Sequence, residues 1–480
     1  MSTASSTPRQ NRSWLGKPSM SSAIRFGVWI VSIVYVVLYV IHSGLLDFFL
    51  TEGTQNVVFV IALVAALVGA YDVKQTKHSV LRNYPVIGHF RWLFEGIRPE
   101  IRQYLIEADD EALPFTRSQR SLIYQRAKAV SADKPFGTIV DVYQSGYEFM
   151  VHSITPAAHP NPADFRIQIG NEQCAQPYST SVFNISAMSF GSLSANAILA
   201  LNQGAARGRF YHDTGEGSIS PYHLQGGGDL VWELGSGYFG CRTDEGKFDP
   251  EKFAKQAVLP NVKMIEIKMS QGAKPGHGGI LPKEKITEQI AQVRGVPRDR
   301  DCVSPASHSA FSTPLEMMAF IRQLRELSGG KPVGFKLCIG QPWEFMAIVK
   351  AMLATDTYPD YIVVDGAEGG TGAAPIEFTD HLGTPLREGL LFVHNTLVGA
   401  GIRDKVKVGA SGKIVSAFDI ARTLALGADW VNSARGFMFA LGCIQSQSCH
   451  TNRCPTGVAT QDKQTEQVHS FRPLRVRVPF

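Results

Sequence analysis

The chain has 480 residues, 47 lysines and arginines against 42 aspartates and glutamates, and a formal net charge of +5. So small a surplus excludes the strong basic field of a nucleic-acid binder, and no nucleic-acid partner is expected. The length exceeds one ordinary core, which a large barrel plus an appendage would satisfy. The seven cysteines are odd in number and scattered except for three near the C-terminus, which excludes a disulfide framework; Cys174, Cys241, Cys302 and Cys338 read as core thiols of a reducing compartment.

From Phe26 to Leu46 no residue carries a fixed charge, and none does from Gly53 to Tyr71. Each run approaches the roughly 20 residues that cross a bilayer. A transmembrane helical hairpin is therefore expected over 23–72, behind an N-terminal tail at 1–22. Arg9, Arg12, Lys17 and Arg25 precede the first run, Asp47 and Glu52 stand in the turn, and Lys74, Lys77 and Arg82 follow the second. This bias puts both ends, and the rest of the chain, on the cytoplasmic side of a membrane. Neither span holds an acid or base of the kind a transporter uses. Residues 73–140 read as a helical connector, with a turn at Asn83–Gly88 and an amphipathic helix around Ile97–Glu107 whose charges mark a solvated face.

Beyond residue 180 eight short apolar runs alternate with helical patterns: 183–188, 210–214, 230–235, 264–269, 333–338, 361–365, 406–410 and 430–434. One of the intervening helices is signed by Ser416 as N-cap and by Ala417, Ile420, Ala421 and Leu424 on one face. The pattern predicts an α/β chain with a (β/α)8 TIM barrel over 141–480. A doubly wound sheet has the same local pattern, but no G-x-G-x-x-G follows an early strand.

In such barrels the chemistry sits on the loops after the strands, with phosphate after the seventh and eighth. Those loops read Gly409-Ala410-Ser411-Gly412 and Ser433-Ala434-Arg435-Gly436, whose glycines let backbone N–H groups approach an anion. After the sixth run, the loop Asp365–Pro375 is nearly free of side chains, so a flat ring or small substrate can lie against backbone at Gly370 and Thr371. After the fourth run, Lys268, Gln271 and Lys274 suit a dicarboxylate, or simply a solvated loop. Lys336 stands between Phe335 and Leu337 in the fifth run, and a lysine in a barrel strand must find an anion.

Cys443, Cys449 and Cys454 form a C-x5-C-x4-C-P run. Three thiolates this close, the last followed by proline, suit an iron–sulfur cluster with three protein ligands. The alternatives are core packing or a zinc knuckle with His450 as the fourth ligand, although zinc usually takes paired cysteines two residues apart.

Several of these stretches together resemble the synthase domain of the glutamate synthase family: Ser186–Ser194, Asp213-Thr214-Gly215-Glu216-Gly217, Lys268–Gly276, Gly369–Ala373, and Ala440 through Asp462. The resemblance implies a flavin mononucleotide (FMN) barrel that converts 2-oxoglutarate and ammonia, through 2-iminoglutarate, to L-glutamate. It implies Ala187, Met188 and Ser189 beside the flavin, Gly409–Gly412 and Ser433–Gly436 on its phosphate, and Lys336 at its electron-rich edge. Lys268, Gln271 and Lys274 would hold the substrate carboxylates, Glu216 would govern ammonia or protons, and Cys443, Cys449 and Cys454 would hold a 3Fe-4S cluster. Two stretches depart from the family pattern: Lys274-Pro275-Gly276-His277-Gly278-Gly279 gains a histidine for an acid, and Ser304–Ala310 loses prolines. A different imine or oxo acid, such as the precursor of an N-substituted glutamate, is the rival acceptor, and a membrane-anchored electron-transfer subunit the rival role. With no glutaminase-like start and no dinucleotide-binding domain legible, ammonia is expected from solution or a separate glutaminase, and electrons from ferredoxin or a separate reductase.

Overall fold

A computed structural model describes residues 20–41, 52–76, 78–106, 114–131, 133, 135–161, 165–272, 278–372 and 374–468. The chain forms two compact units, Met1–Glu107 and Ala108–Phe480.

In the first unit, helices Met20–Ile41 and Glu52–Lys74 run antiparallel. Trp29 Nε1 donates to the Ala66 carbonyl at 3.0 Å, and the Tyr39 hydroxyl donates to Asn56. Gly69 has to be glycine, because a Cβ there would stand 2.2 Å from the Trp29 ring. Of the two spans expected, Gly53–Lys74 is long and apolar enough to cross a membrane, while the apolar part of its partner, Arg25–Ile41, is shorter. The turn between them, with Asp47, lies outside the described residues, as do Arg9, Arg12, Lys17 and Lys77. Asp72, fully buried, accepts from Val86 N and His89 Nε2, both at 3.0 Å, which folds the chain back on the end of the second helix. The amphipathic segment expected near residue 97 is the end of a longer helix, Gly88–Ile101, that widens into a π-helical turn at Arg102–Ile106.

The second unit is a closed barrel of eight parallel strands. They are β1 (Phe183–Ile185), β2 (His212–Asp213), β3 (Leu230–Leu234), β4 (Val262–Lys268), β5 (Val333–Leu337), β6 (Tyr361–Asp365), β7 (Lys407–Ser411) and β8 (Trp430–Ser433). Each overlaps one of the expected runs, with β4 beginning two residues before its run and β7 ending one residue beyond its own, and β8 closes on β1 with Val431 opposite Phe183. Ser416 caps the helix Ala417–Ala425 through a full capping box with Asp419.

Strand alternation sorts the side chains into two environments. Leu230, Trp232, Leu234, Ile265, Ile267, Phe335, Leu337, Ile362 and Val364 pack outward under the helices. Tyr211, Val231, Met264, Tyr361, Val363 and Trp430 fill the lower interior, together with Ile169 of the antiparallel pair Arg166–Ile169 and Tyr178–Ser181. Trp430 Nε1 donates to the Tyr211 hydroxyl at 2.8 Å, and that hydroxyl to Asn432 at 2.7 Å, so the polar tips of this aromatic layer are satisfied. Toward the strand C-termini the buried residues turn charged: Asp213, Glu233, Glu266, Lys336 and Asp365.

The helix Arg117–Ala127, expected within the connector, belongs to the barrel unit. Its Tyr124 hydroxyl donates to the Cys443 carbonyl at 2.6 Å, and Phe115 just before it meets Phe439 edge-on at 5.2 Å.

Candidate functional site

Two clefts share a wall at the C-terminal end of the barrel. The smaller, about 490 Å³, lies over β7 and β8 and is lined by Ser411, Gly412 and Lys413 on one side and Ser433, Ala434, Arg435 and Gly436 on the other. Gly409 and Ala410, expected beside the phosphate, do not line it. They sit within β7, Gly409 pressed to 2.5 Å of the Trp430 ring at its Cβ position and Ala410 in the outer core. The cleft lining on this side therefore begins at Ser411, further along than the glycine pattern suggested. Lys413 and Arg435 give the cleft positive charge, and Phe115 lines it from a segment that carried no sequence signal. The Arg435 guanidinium stacks 4.9 Å from the Phe115 ring centroid and donates to the Glu368 carbonyl at 2.7 Å, while Gly370 lies so close that a Cβ would meet it at 2.8 Å. Burial lowers the Arg435 pKa, against the pull of Asp365 and Glu368.

Lys336 rises from β5 into the floor of this cleft. Its Nζ lies 3.5 Å from Glu233 Oε2. Burial alone would lower its pKa, but the charges of Glu233, Asp365, Asp213 and Glu266 more than offset that and hold the ammonium charged. Oxygens of Asp213, Glu233 and Glu266 lie within 4.8 Å of one another, and Glu266 Oε2 has no hydrogen-bond partner. Burial, and then the charge of Glu233, pushes Asp213 up to about 8, and burial with the charge of Asp213 raises Glu266 well above the carboxylate range. With a single lysine against three acids, a proton stays in the group. Asp365 accepts from Gly272 N at 2.9 Å and from the Ser411 hydroxyl, tying the loop after β4 to β7.

The larger cleft, about 1060 Å³, takes Ala187, Met188 and Ser189 from the loop after β1, Glu216, Lys268 and Gln271, and Gly370 and Thr371 from the loop after β6. The Asp213–Gly217 turn fits beneath the first of these loops only because Gly215, at φ +64°, has no Cβ; one would stand 2.7 Å from Ser189 N. Lys268 Nζ lies 3.2 Å from Glu216 Oε2, so both residues expected to handle substrate are paired with each other. That pair also borders a third cleft of about 370 Å³ lined by Ser236, Gly278, Gly279 and His308. Lys274 and His277 lie outside the described residues. His308, in the second diverged stretch, is a buried neutral strut: burial lowers its pKa, its Nε2 donates to the Lys268 carbonyl at 2.8 Å, and its Nδ1 takes the Tyr238 hydroxyl at 2.9 Å.

The cysteine segment forms the far wall of the larger cleft, with Cys449 and His450 both lining it. No disulfide links any of the seven cysteines. Burial pushes Cys443 up to about 11, and the neighbouring Cys449 and Cys454 add to the rise. The three sulfurs are close enough to feel one another's charge, yet they do not converge within 4.8 Å as ligands of one tetrahedral ion would. Three neighbouring thiols are a donor set that an iron–sulfur group can take. Lys285, which the sequence did not single out, sits beside them; burial draws its pKa down to about 8.

These features define a (β/α)8-barrel enzyme whose clefts suit a phosphate-bearing cofactor next to a small acidic substrate. Residues 145–478 match the family model described as the conserved region in glutamate synthase. The glutamate synthase large subunit-like protein YerD of Bacillus subtilis (strain 168) is 38% identical over 472 residues, covering 87% of this chain and 89% of that protein. The archaeal-type glutamate synthase [NADPH] of Thermotoga neapolitana is 36% identical over 277 residues, 58% of this chain, and the chain spans 51% of its length. The archaeal glutamate synthase [NADPH] of Methanocaldococcus jannaschii is 35% identical over 278 residues, with the same coverage. A solved mandelate oxidase mutant with an FMN adduct aligns at a TM-score of 0.36 and 17% identity over 66% of this chain and 82% of its own, too remote to bear on function. The chain belongs to the glutamate synthase family and, with it, to the oxidoreductases acting on CH–NH2 donors.

Proposed function

We propose that the barrel binds FMN and reductively aminates 2-oxoglutarate to L-glutamate. The observation that carries this reading is the shared wall: Ala187, Gln271, Gly370, Ala434 and Arg435 line both the anion cleft and the larger cleft, whose far side holds Cys449. A phosphate-anchored ring, a substrate and an electron entry point then adjoin without a gap.

When bound, FMN supplies the hydride and a 3Fe-4S cluster on Cys443, Cys449 and Cys454 supplies the electrons that replenish it. The chain's residues do the rest. Ser411, Gly412 and Ser433–Gly436 hold the phosphate with Lys413 and Arg435, and Lys336 stands as a fixed cation where negative charge collects on reduction. Gln271 and Lys268 orient the carboxylates of the substrate, with Gly370 and Thr371 against its other side; Lys274, outside the described residues, is a third candidate for them. Ammonia and 2-oxoglutarate condense to 2-iminoglutarate and water, and addition of a hydride and a proton to the C=N bond gives the amine. Glu216 is the proton-handling group nearest Lys268. Ammonia comes from solution or a separate glutaminase, and electrons come from ferredoxin or a separate reductase.

A second acceptor deserves a test for a specific reason. Lys268 is already neutralised by Glu216, and Ile280, Leu281, Pro282 and Leu193 give the larger cleft an apolar side. An imine with an N-alkyl group, leading to an N-substituted glutamate, would fill that side. Anaerobically reduced protein separates the two: flavin absorbance that recovers with 2-oxoglutarate and ammonium supports glutamate formation, recovery only with an alkylamine supports the second reading, and no recovery with either removes both.

We further propose that the antiparallel pair Met20–Ile41 and Glu52–Lys74 anchors the chain in a membrane with the barrel on the cytoplasmic side. Release of the full-length chain by a carbonate wash would refute it.

A further inference from the structure

We infer that Lys285 is a positioning residue for electron entry: its buried ammonium is the counter-charge of the iron–sulfur group on Cys443, Cys449 and Cys454 and draws the electron onto it. The inference rests on the cluster reading above.

Lys285 is 2% exposed, and its Nζ donates to three backbone carbonyls: Ser192 at 2.8 Å, Ala459 at 3.0 Å and Cys449 at 3.2 Å. Those bonds use all three donors of an ammonium but supply no negative charge. Among the described residues no ion pair includes it. Three of the other buried cations have a compensating partner, while Arg294, also buried, donates to the Phe190 carbonyl and the Ser189 hydroxyl. Lys336 faces Glu233, and Arg325 faces Asp360. Lys331, which is also bonded to carbonyls, takes those of Ala257 and Leu259 at the end of the helix Pro250–Ala257, where the backbone carries partial negative charge. No helix ends at the acceptors of Lys285.

A cation taken out of water without an anion is unfavourable, so the position needs one. The nearest groups that become anionic are the cysteines: Cys449, through whose carbonyl Lys285 is tethered, and Cys454. Lys285 also lines the larger cleft beside Cys449 and Ala459, so it stands in the wall between the substrate side and the cysteine segment. Thiolate ligation fills the missing charge. Taking up one electron from the external donor adds one further negative charge there without making or breaking a bond, and a fixed cation alongside favours that state.

The competing role is mechanical, since the three carbonyls come from three segments that Lys285 pins together. The reduction potential separates charge from packing. Holoprotein would be titrated with dithionite and a mediator set, the cluster being followed by its paramagnetic signal. Lys285→Met is expected to shift the midpoint negative by at least tenfold in the reduction equilibrium, about 59 mV for a one-electron couple, with Lys285→Arg holding the native value. An unchanged midpoint in Lys285→Met with full iron and sulfide content overturns the proposal. If Lys285→Met loses the cluster, Lys285→Arg decides: a native midpoint supports the charge role, and loss or an equal shift overturns it. Native protein with no iron at all would instead refute the cluster reading itself.

Discussion

Lys336 Nζ lies 3.5 Å from Glu233 Oε2 in the barrel interior, with Asp213 and Glu266 of the neighbouring strands completing the group. The lysine expected to serve the cofactor is already the cation of a buried acid cluster, so it is held rigidly and kept charged. Replacing it by methionine removes a charged donor worth roughly 1.5–3 kcal/mol and leaves the acids unpaired. Lys336→Met is expected to bind FMN more than tenfold more weakly and to lower the flavin potential. Fluorescence titration and redox titration check both, and native values in each would remove the role.

The acid cluster predicts a pH dependence. Asp213 titrates at about 8 in the folded chain, against about 3.9 for an unfolded aspartate. Between those values the native state holds a proton that the unfolded state has released, so stability falls as pH rises through this window, by at most about 1.4 kcal/mol per unit. Below it both states are protonated, and above it neither is, so the slope vanishes at each end. Asp213→Asn keeps the side-chain oxygen that accepts from Gly215 N and cannot ionise. Its stability relative to the native chain should rise between pH 4 and 8 in denaturant titrations; parallel curves would contradict the assignment.

Cys449 lies on the cleft wall, and its thiol is partly buried. Cys449→Ser should fold, because a hydroxyl fits where the thiol stood, but lose most of its iron and sulfide and its low-temperature paramagnetic signal. A full complement retained in the variant would show that the ligand set is elsewhere.

Gly409 belongs to the scaffold. A methyl group at its Cβ position would come within 2.5 Å of the Trp430 ring, whose Nε1 is fixed on Tyr211. Gly409→Ala is expected to cost about 1–3 kcal/mol by overpacking the aromatic layer, read as a lower midpoint in urea. Loss of FMN affinity at unchanged stability would restore Gly409 to the phosphate site.

The barrel was legible because its strands are apolar on the outward face and several are apolar on both, so each run stands out from the charged helices around it. The strand ends were less legible. Nothing in Gly409-Ala410-Ser411-Gly412 marks where β7 stops, so the loop was expected from Gly409 whereas the cleft lining starts at Ser411. The acids were hidden in plain view: Glu233 stands in Leu-Val-Trp-Glu-Leu and Glu266 in Met-Ile-Glu-Ile-Lys, each a charge within a strand, the same signal that singled out Lys336. Phe115 could not be found, because its contact with Arg435 joins residues more than 300 apart and leaves no local pattern. Lys285 is one of three charges in Lys-Glu-Lys, and only the fold shows that it is buried while Glu284 is exposed.

The proposed reaction needs a flavin, an oxo acid and ammonia to meet where the two clefts share their wall. The most direct measurement is a single anaerobic turnover of fully reduced protein with 2-oxoglutarate and nitrogen-15 ammonium, with the products resolved by mass spectrometry. The account predicts labelled L-glutamate in about a one-to-one ratio with flavin reoxidised. Reoxidised flavin without labelled glutamate, or reduced flavin that persists with both substrates present, would contradict it.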